Sequence, residues 1–346
     1  MSDETVQALM LLGLDQAEAE RAVAQNRVPL ALVTPLLERE HIISAEVAAQ
    51  RLGVPLDYLV ARDRALGVPE TTGYTEEEIA ELAALPDLLQ LLSPEGVLRN
   101  MRTDAQALTR IAMSNLQLVN AEVAEPLRES GGNDIVVALA LAEAARSLLP
   151  ETIPLLASSF RRILVHLVNT ELVAAGSRGM TTDAAVTVGF VDVVGYTSLS
   201  ARIDPAGLDD VLAAFEALCY RVADQHDNVQ LVKFLGDAAM YVGVDAPSLA
   251  STLLEIVTAP DSDTALEGSP IRGGMASGAL LMRAGDYFGP PVNLAARLTD
   301  HARPGTVLAD DHMRDDLQDF DTRRVPPMRL RGLGVRRPVR VRLPRD

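Results

Sequence analysis

The stretch Asn228-Val-Gln-Leu-Val-Lys-Phe-Leu-Gly-Asp-Ala-Ala-Met-Tyr-Val-Gly-Val244 consists of two apolar, β-rich runs joined at Gly236-Asp237. That pattern predicts a β-hairpin with a tight turn. Strict alternation would put Val229, Leu231, Lys233 and Leu235 on one face of the first strand, and Gln230, Val232 and Phe234 on the other. Two charges interrupt the hairpin. One is Asp237 at the turn. The other is Lys233, the single lysine of a chain whose remaining cationic side chains, histidines aside, are all arginine. A compact ammonium suits one acceptor atom, whereas a guanidinium presents a fork. Lys233 therefore points to a specific acceptor; a guard against edge-strand aggregation is the alternative.

Outward from the hairpin, the Ala184-Val-Thr-Val-Gly-Phe-Val-Asp-Val run alternates as a strand, with Val186, Val188, Phe190 and Asp192 on one face. Gly195-Tyr-Thr-Ser leads into a helical stretch near 206–224. Beyond the hairpin the pattern predicts a helix over Leu249–Thr258, a strand over Ile271–Leu281 and a polar hairpin or loop over Arg283–Gly289. Pro290-Pro291 opens a helix over Val292–Ala302. A short strand at Thr306–Ala309, a small helix around 311–318 and a last strand at 339–343 complete the order. This is an α+β, ferredoxin-like sheet, expected to carry its helices on one face.

In such a sheet the first strand lies beside the hairpin, so Asp192 and Asp237 can meet at one edge. Paired carboxylates with no softer ligand nearby suit Mg2+ or Mn2+ held together with substrate phosphates. Lys233 and Asp286 form a second pair. A donor and an acceptor complement N1 and N6 of adenine and fit guanine poorly, because guanine presents the opposite polarity there. Asn293 and Arg297, four apart on one helix face, form a third. An amide can hold a ribose, and a guanidinium can neutralise charge on a reacting phosphate.

Residues 1–182 read as nearly all helix, with stops at Gly53-Val-Pro55, Gly67-Val-Pro69, Pro86 and Gly131-Gly132. Residues 43–67 are patterned like a helix-turn-helix, or equally like a helical hairpin capped by Ser44 and Gly53. Thr75 before three glutamates is a capping box. Long amphipathic segments follow at about 94–128 and 134–149, and a further helix opened by Pro154 is expected to end at Gly176-Ser-Arg-Gly179. The expected organisation is a helical regulatory domain over 1–175, a linker over 176–183 and a second domain over 184–346.

A length of 346 residues allows two domains, and the composition is that of a soluble globular chain. The net charge of −17 and the absence of tryptophan argue against a nucleic-acid binder. No DNA partner is expected. The imbalance is uneven, with 25 acids and 14 bases in 1–182 against 23 acids and 17 bases in 183–346. Cys219 is the one cysteine, which fits a reducing cytoplasm. The N-terminus has no basic-then-apolar leader, and no apolar run reaches membrane-spanning length, so no span is expected.

Three motifs in order resemble the class III nucleotide cyclases: Phe190-Val-Asp-Val-Val-Gly-Tyr-Thr-Ser-Leu-Ser200, Lys233-Phe-Leu-Gly-Asp-Ala-Ala-Met240 and Gly285-Asp-Tyr-Phe-Gly-Pro-Pro-Val-Asn-Leu-Ala-Ala-Arg-Leu298. Ile271-Arg-Gly-Gly-Met-Ala-Ser-Gly278 matches a further family segment, and the match runs over 184–343. The whole chain is similar to the actinobacterial two-domain adenylate cyclases, some of which respond to pH. The resemblance implies a homodimer with two equivalent sites at its interface. One chain would give Asp192 and Asp237 to two Mg2+ or Mn2+ ions, and Arg272 would face the phosphates. The other would give Lys233 and Asp286 to adenine, and Asn293 and Arg297 to the ribose and reacting phosphate. Arg331 is a weaker candidate, because the family more often has lysine in that region. The implied reaction is ATP to 3′,5′-cyclic AMP and pyrophosphate. A guanylate cyclase and a nucleotide-sensing module without turnover are the alternatives.

Overall fold

The computed structural model describes residues 2–25, 27–28, 31, 43–67, 73–178, 186–259, 266 and 268–343. The chain divides into two compact units, Met1–Arg162 and Ile163–Asp346.

The described elements of the first unit are helices, with one isolated antiparallel β-bridge between Ile43 and Tyr74. Helices α1 (Ser2–Leu11) and α2 (Gln16–Ala24) pack around Leu9, Ala19 and Ala22. Helices α3 (Ala45–Leu52) and α4 (Leu56–Leu66) are joined through Gly53, whose φ of 69° is the left-handed cap that a glycine adopts without steric cost. Ser44 caps α3, as its position predicts. The arginines around this pair are engaged locally: Arg62 bonds Asp63, and Arg51 bonds Glu76. Thr75 and Glu78 form the reciprocal capping box that opens α5 (Glu76–Glu81). Helices α6 (Leu85–Leu91) and α7 (Pro94–Val119) follow; a π-helical turn at Asn120–Ala124 continues α7 into α8 (Glu125–Glu129).

One expectation fails here. Helix α9 runs unbroken from Asp134 to Arg178, with Pro150 and Pro154 inside it, so Pro154 does not open a separate helix, while its end at Arg178 falls within the expected Gly176-Ser-Arg-Gly179 stop. Each proline removes one backbone hydrogen bond, and the strong helix formers on both sides carry the helix through. Most of the expected linker, from residue 179 onward, lies outside the described residues. Among the described residues no helix is long and apolar enough to cross a membrane.

The second unit is built on a seven-stranded sheet of order β2-β3-β1-β4-β7-β11-β8. Its first four strands are β1 (Val186–Val193), β2 (Val229–Leu235), β3 (Ala238–Gly243) and β4 (Ile271–Gly278). Each is antiparallel to its neighbour, the ferredoxin-like arrangement, and β4 then pairs β7 (Val307–Ala309) in parallel. The outer strands are β11 (Val339–Arg342) and β8 (Asp321–Arg324). The helical stretch after β1 resolves into α10 (Tyr196–Ser200) and α11 (Pro205–Ala223).

Helices cover both faces of the sheet, not one. On the first face α11 and α12 (Ala246–Thr258) bury Phe215, Leu218, Leu249, Leu253 and Ile256 against Val191, Tyr241 and Met275. Cys219 lies in this core, and burial pushes its thiol up to about 12. On the second face α13 (Pro290–His301) sets Leu294, Ala295 and Leu298 against Val188, Phe190, Met240 and Ala276. Each such fully buried leucine contributes roughly 1.5–3 kcal/mol. The reason is visible in β1, whose residues are buried on both sides, so its apparent alternation hides a two-sided core.

Two glycines set how closely these helices approach. A Cβ on Gly274 would lie 2.3 Å from the Thr299 backbone nitrogen and 2.7 Å from the Ala295 carbonyl oxygen. A Cβ on Gly189 would lie 2.6 Å from Leu253 Cδ1 on the opposite face. Backbone cannot yield as a side-chain tip can, so Gly274 is what lets α13 lie directly on β4.

Candidate active site

Asp192 is the penultimate residue of β1. Its register partners are Ala238 on β3 and Arg272 on β4. Asp237 precedes Ala238 in the β2–β3 turn, where Gly236 adopts φ 65°, and the Val193 N–H donates to the Asp237 carbonyl oxygen at 3.1 Å. The two carboxylates thus meet at one sheet edge, as the hairpin reading requires. Burial pushes the Asp192 carboxyl above its ordinary range, Arg272 pulls it back, and the neighbouring Asp237 carboxylate pushes it further up. Arg272 donates from Nε and Nη2 to Asp192 Oδ2 at 2.8 and 2.6 Å. Among the described residues no cluster of three or more His, Cys, Asp or Glu side chains forms. Two acidic oxygen donors whose charge already attracts a cation fit a hard divalent ion that completes its shell with phosphate and water.

Lys233 reaches Asp286 by a route that alternation does not predict. The β2–β3 register shifts between Leu231 and Lys233, so Leu231 opposes Tyr241 while Lys233 opposes Met240. Tyr241 faces the α11–α12 core and Met240 the α13 core. Lys233 therefore does not share a face with Leu231. The extra residue, Val232, is a β-bulge, and it turns the lysine onto the α13 side. There its Nζ donates to Asp286 Oδ2. Asp286 begins β6 (Asp286–Phe288), paired with β5 (Leu281–Arg283) across Ala284 and Gly285, whose φ values are 55° and 73°. Two successive positive φ values make the tight primed turn that suits a two-residue hairpin. Asp286 Oδ1 also accepts from the Tyr287 N–H at 2.8 Å.

Asn293 and Arg297 lie on the exposed face of α13, while Leu294, Ala295 and Leu298 bury the other. Arg297 is 47% exposed and bonds Asp300 at 3.2 Å. Asp300 was not singled out in the sequence, yet it ties two candidates together: its carboxylate accepts from Arg297 and its carbonyl oxygen accepts from Arg272 Nη1 at 2.5 Å. Its position three residues after Arg297 on a helix was the available signal. At the end of β1 the Val193 N–H is committed to the Asp237 carbonyl oxygen, and in the turn that follows the Val194 N–H donates to the Pro270 carbonyl oxygen. Arg331 is exposed in the turn between β9 (Met328–Leu330) and β10 (Gly334–Arg336), apart from these groups in every described contact.

The adenylate and guanylate cyclase catalytic domain family matches residues 180–341. Across most of its length the chain is similar to curated actinobacterial proteins. It is 30% identical to a pH-sensitive adenylate cyclase of Mycobacterium tuberculosis (strain CDC 1551 / Oshkosh), covering 92% of this chain and 83% of the relative. It is 33% identical to an adenylate cyclase of Glutamicibacter nicotianae, over 77% of this chain and 69% of the relative. An adenylate cyclase of Streptomyces coelicolor is 30% identical over 78% of this chain and 70% of its own length. With a catalytic-domain match over 180–341 and 30% identity to an adenylate cyclase across most of both chains, the chain belongs to the class III nucleotide cyclases.

Proposed function

We propose that this protein is an adenylate cyclase, converting ATP to 3′,5′-cyclic AMP and pyrophosphate at sites shared between two copies of the chain. The observation that carries the base choice is the Lys233–Asp286 pair, held half-buried by a bulge on one side and a primed turn on the other. A fixed cationic donor beside a fixed carboxylate acceptor matches adenine N1 and N6 and mismatches guanine at both atoms.

The ribose 3′-oxygen attacks the α-phosphorus, the bond to the β-phosphate breaks, and the hydroxyl proton is lost. Arg297 stabilises charge gathering on the reacting phosphate, and Asn293 orients the ribose. Asp192 and Asp237 would hold Mg2+ or Mn2+, two per site, and the bound ions would supply Lewis acidity toward the 3′-hydroxyl and the leaving phosphates. Because Asn293 and Arg297 point outward from their own protomer, they serve the metal-binding carboxylates of a second copy.

Purified full-length chain incubated with Mn-ATP and with Mn-GTP, products separated by chromatography, yields cyclic AMP in preference to cyclic GMP. Lys233→Gln and Asp286→Asn each cut the ATP-over-GTP ratio of kcat/KM by about 10–100-fold, the value of a charge-assisted hydrogen bond. An unchanged ratio in both variants rejects the base-reading role. Exclusive cyclic GMP formation rejects the substrate, and no product from either nucleotide leaves a binding module.

The helical region over 1–175 is proposed to regulate the catalytic domain over 184–346. The support is that Met1–Arg162 forms a compact unit of its own and that the similarity to a pH-sensitive adenylate cyclase covers 92% of the chain, not only its catalytic part. Specific activity of the isolated 184–346 segment then differs at least fewfold from that of the full chain at some pH between 5 and 8. Superimposable profiles across that range sink the regulatory role.

A further inference from the structure

Arg272 spends its whole guanidinium on two anchors. Nε and Nη2 converge on one atom, Asp192 Oδ2, and Nη1 reaches the Asp300 carbonyl oxygen in the last turn of α13. Carbonyls there lack intrahelical partners and carry the negative end of the helix dipole. The pair is largely enclosed, with side chains 23% and 16% exposed for Arg272 and Asp192. Doubly donated, charge-assisted contacts of this kind are strong. The carboxylate so engaged is the one assigned to the metal, and a guanidinium and a divalent cation repel each other across a shared oxygen.

We propose that Arg272 is an exchangeable counter-cation for Asp192, which a divalent ion must displace and which then pairs with the incoming triphosphate. The inference rests on the metal assignment of Asp192 made above. Its consequence is a coupling. A metal ion alone binds weakly, because it competes with a cation already seated. A triphosphate gives the displaced guanidinium a new anion, so metal and nucleotide each favour the other's binding. Arg272 thus sets the enzyme to load its metal with substrate rather than ahead of it.

Direct Mn2+ binding to the full-length chain without nucleotide, followed by the electron paramagnetic resonance of free Mn2+, tests this. Asp192→Asn defines the baseline of sites that do not involve the carboxylate. Above that baseline, Arg272→Gln binds Mn2+ about tenfold or more tightly than the wild type, and Arg272→Lys, which keeps the competing charge, stays within about threefold of it. Arg272→Met gives the same tightening if glutamine disturbs the fold, with circular dichroism reporting folding. With 3′-deoxy-ATP present, wild-type Mn2+ affinity rises towards that of Arg272→Gln. Unchanged or weaker Mn2+ binding in folded Arg272→Gln and Arg272→Met, while Asp192→Asn loses the site, overturns the counter-cation and leaves the metal assignment standing. Identical binding in Arg272→Gln and in the Asp192→Asn/Arg272→Gln double variant removes the metal assignment, and this inference with it.

Discussion

Replacing Asp192 or Asp237 by alanine lowers cyclisation at least about a thousandfold, the loss of several kcal/mol of charge stabilisation at about 1.4 kcal/mol per tenfold. Each carboxylate supplies charge that nothing else nearby supplies, since among the described residues these two stand without a third acidic or imidazole ligand. The two variants differ in what they do to the fold. Asp237 is at a turn, and the contact that anchors it to β1 uses its backbone oxygen, which alanine retains. Asp192 is paired with Arg272 in a partly buried setting, so its removal leaves a cation with one anchor gone. Asp192→Ala therefore melts lower than Asp237→Ala, while Asp192→Asn, which preserves volume and one acceptor, recovers most of that stability but no activity. Turnover of Mn-ATP and thermal melts by circular dichroism separate the two effects. Residual activity of more than a few per cent in either alanine variant, in folded protein, refutes the assignment.

Much of this site was legible because its chemistry sits at places the chain announces. Asp237 follows a turn glycine between two apolar runs, Asp192 ends a strand that the hairpin must flank, and Asn293 and Arg297 are one helical turn apart after Pro290-Pro291. Local pattern fixes such positions. What stayed hidden depends on non-local packing. The bulge at Val232 leaves no mark in the alternation of β2, because Leu231 and Val232 are both apolar and either could face the core; only the pairing with Met240 and Tyr241 reveals it. The second helical face was hidden because β1 is buried on both sides. The strands β8, β9 and β10 are three or four residues long and rich in arginine, too short and too polar for a period of two to register. Asp300 contributes its backbone oxygen to Arg272, and no side-chain pattern encodes that. Gly274 was quoted in a motif, but its purpose, the direct seating of α13, is a property of the packed pair.

Arg297→Ala lowers turnover about 10²–10³-fold, the usual effect of removing one group that stabilises charge in the transition state, with little change in stability. The side chain is 47% exposed and its partner Asp300 is 51% exposed, so their ion pair adds little to folding. The sharper result comes from mixing. In a two-fold dimer each site takes its carboxylates from one chain and its Asn–Arg helix from the other. An Asp192→Ala chain paired with an Arg297→Ala chain builds one site carrying both defects and one carrying neither. At equal amounts and random exchange, half the dimers are mixed and each has one intact site of two, so activity returns to about a quarter of the wild-type value per total protein. Either variant alone remains near zero, which makes the recovery hard to mistake for anything else. If the carboxylates and the arginine instead served one site within a single chain, every site in the mixture would carry one defect and no activity would return. Differently tagged chains, co-purified to prove that exchange has occurred, make a silent mixture decisive against the shared site.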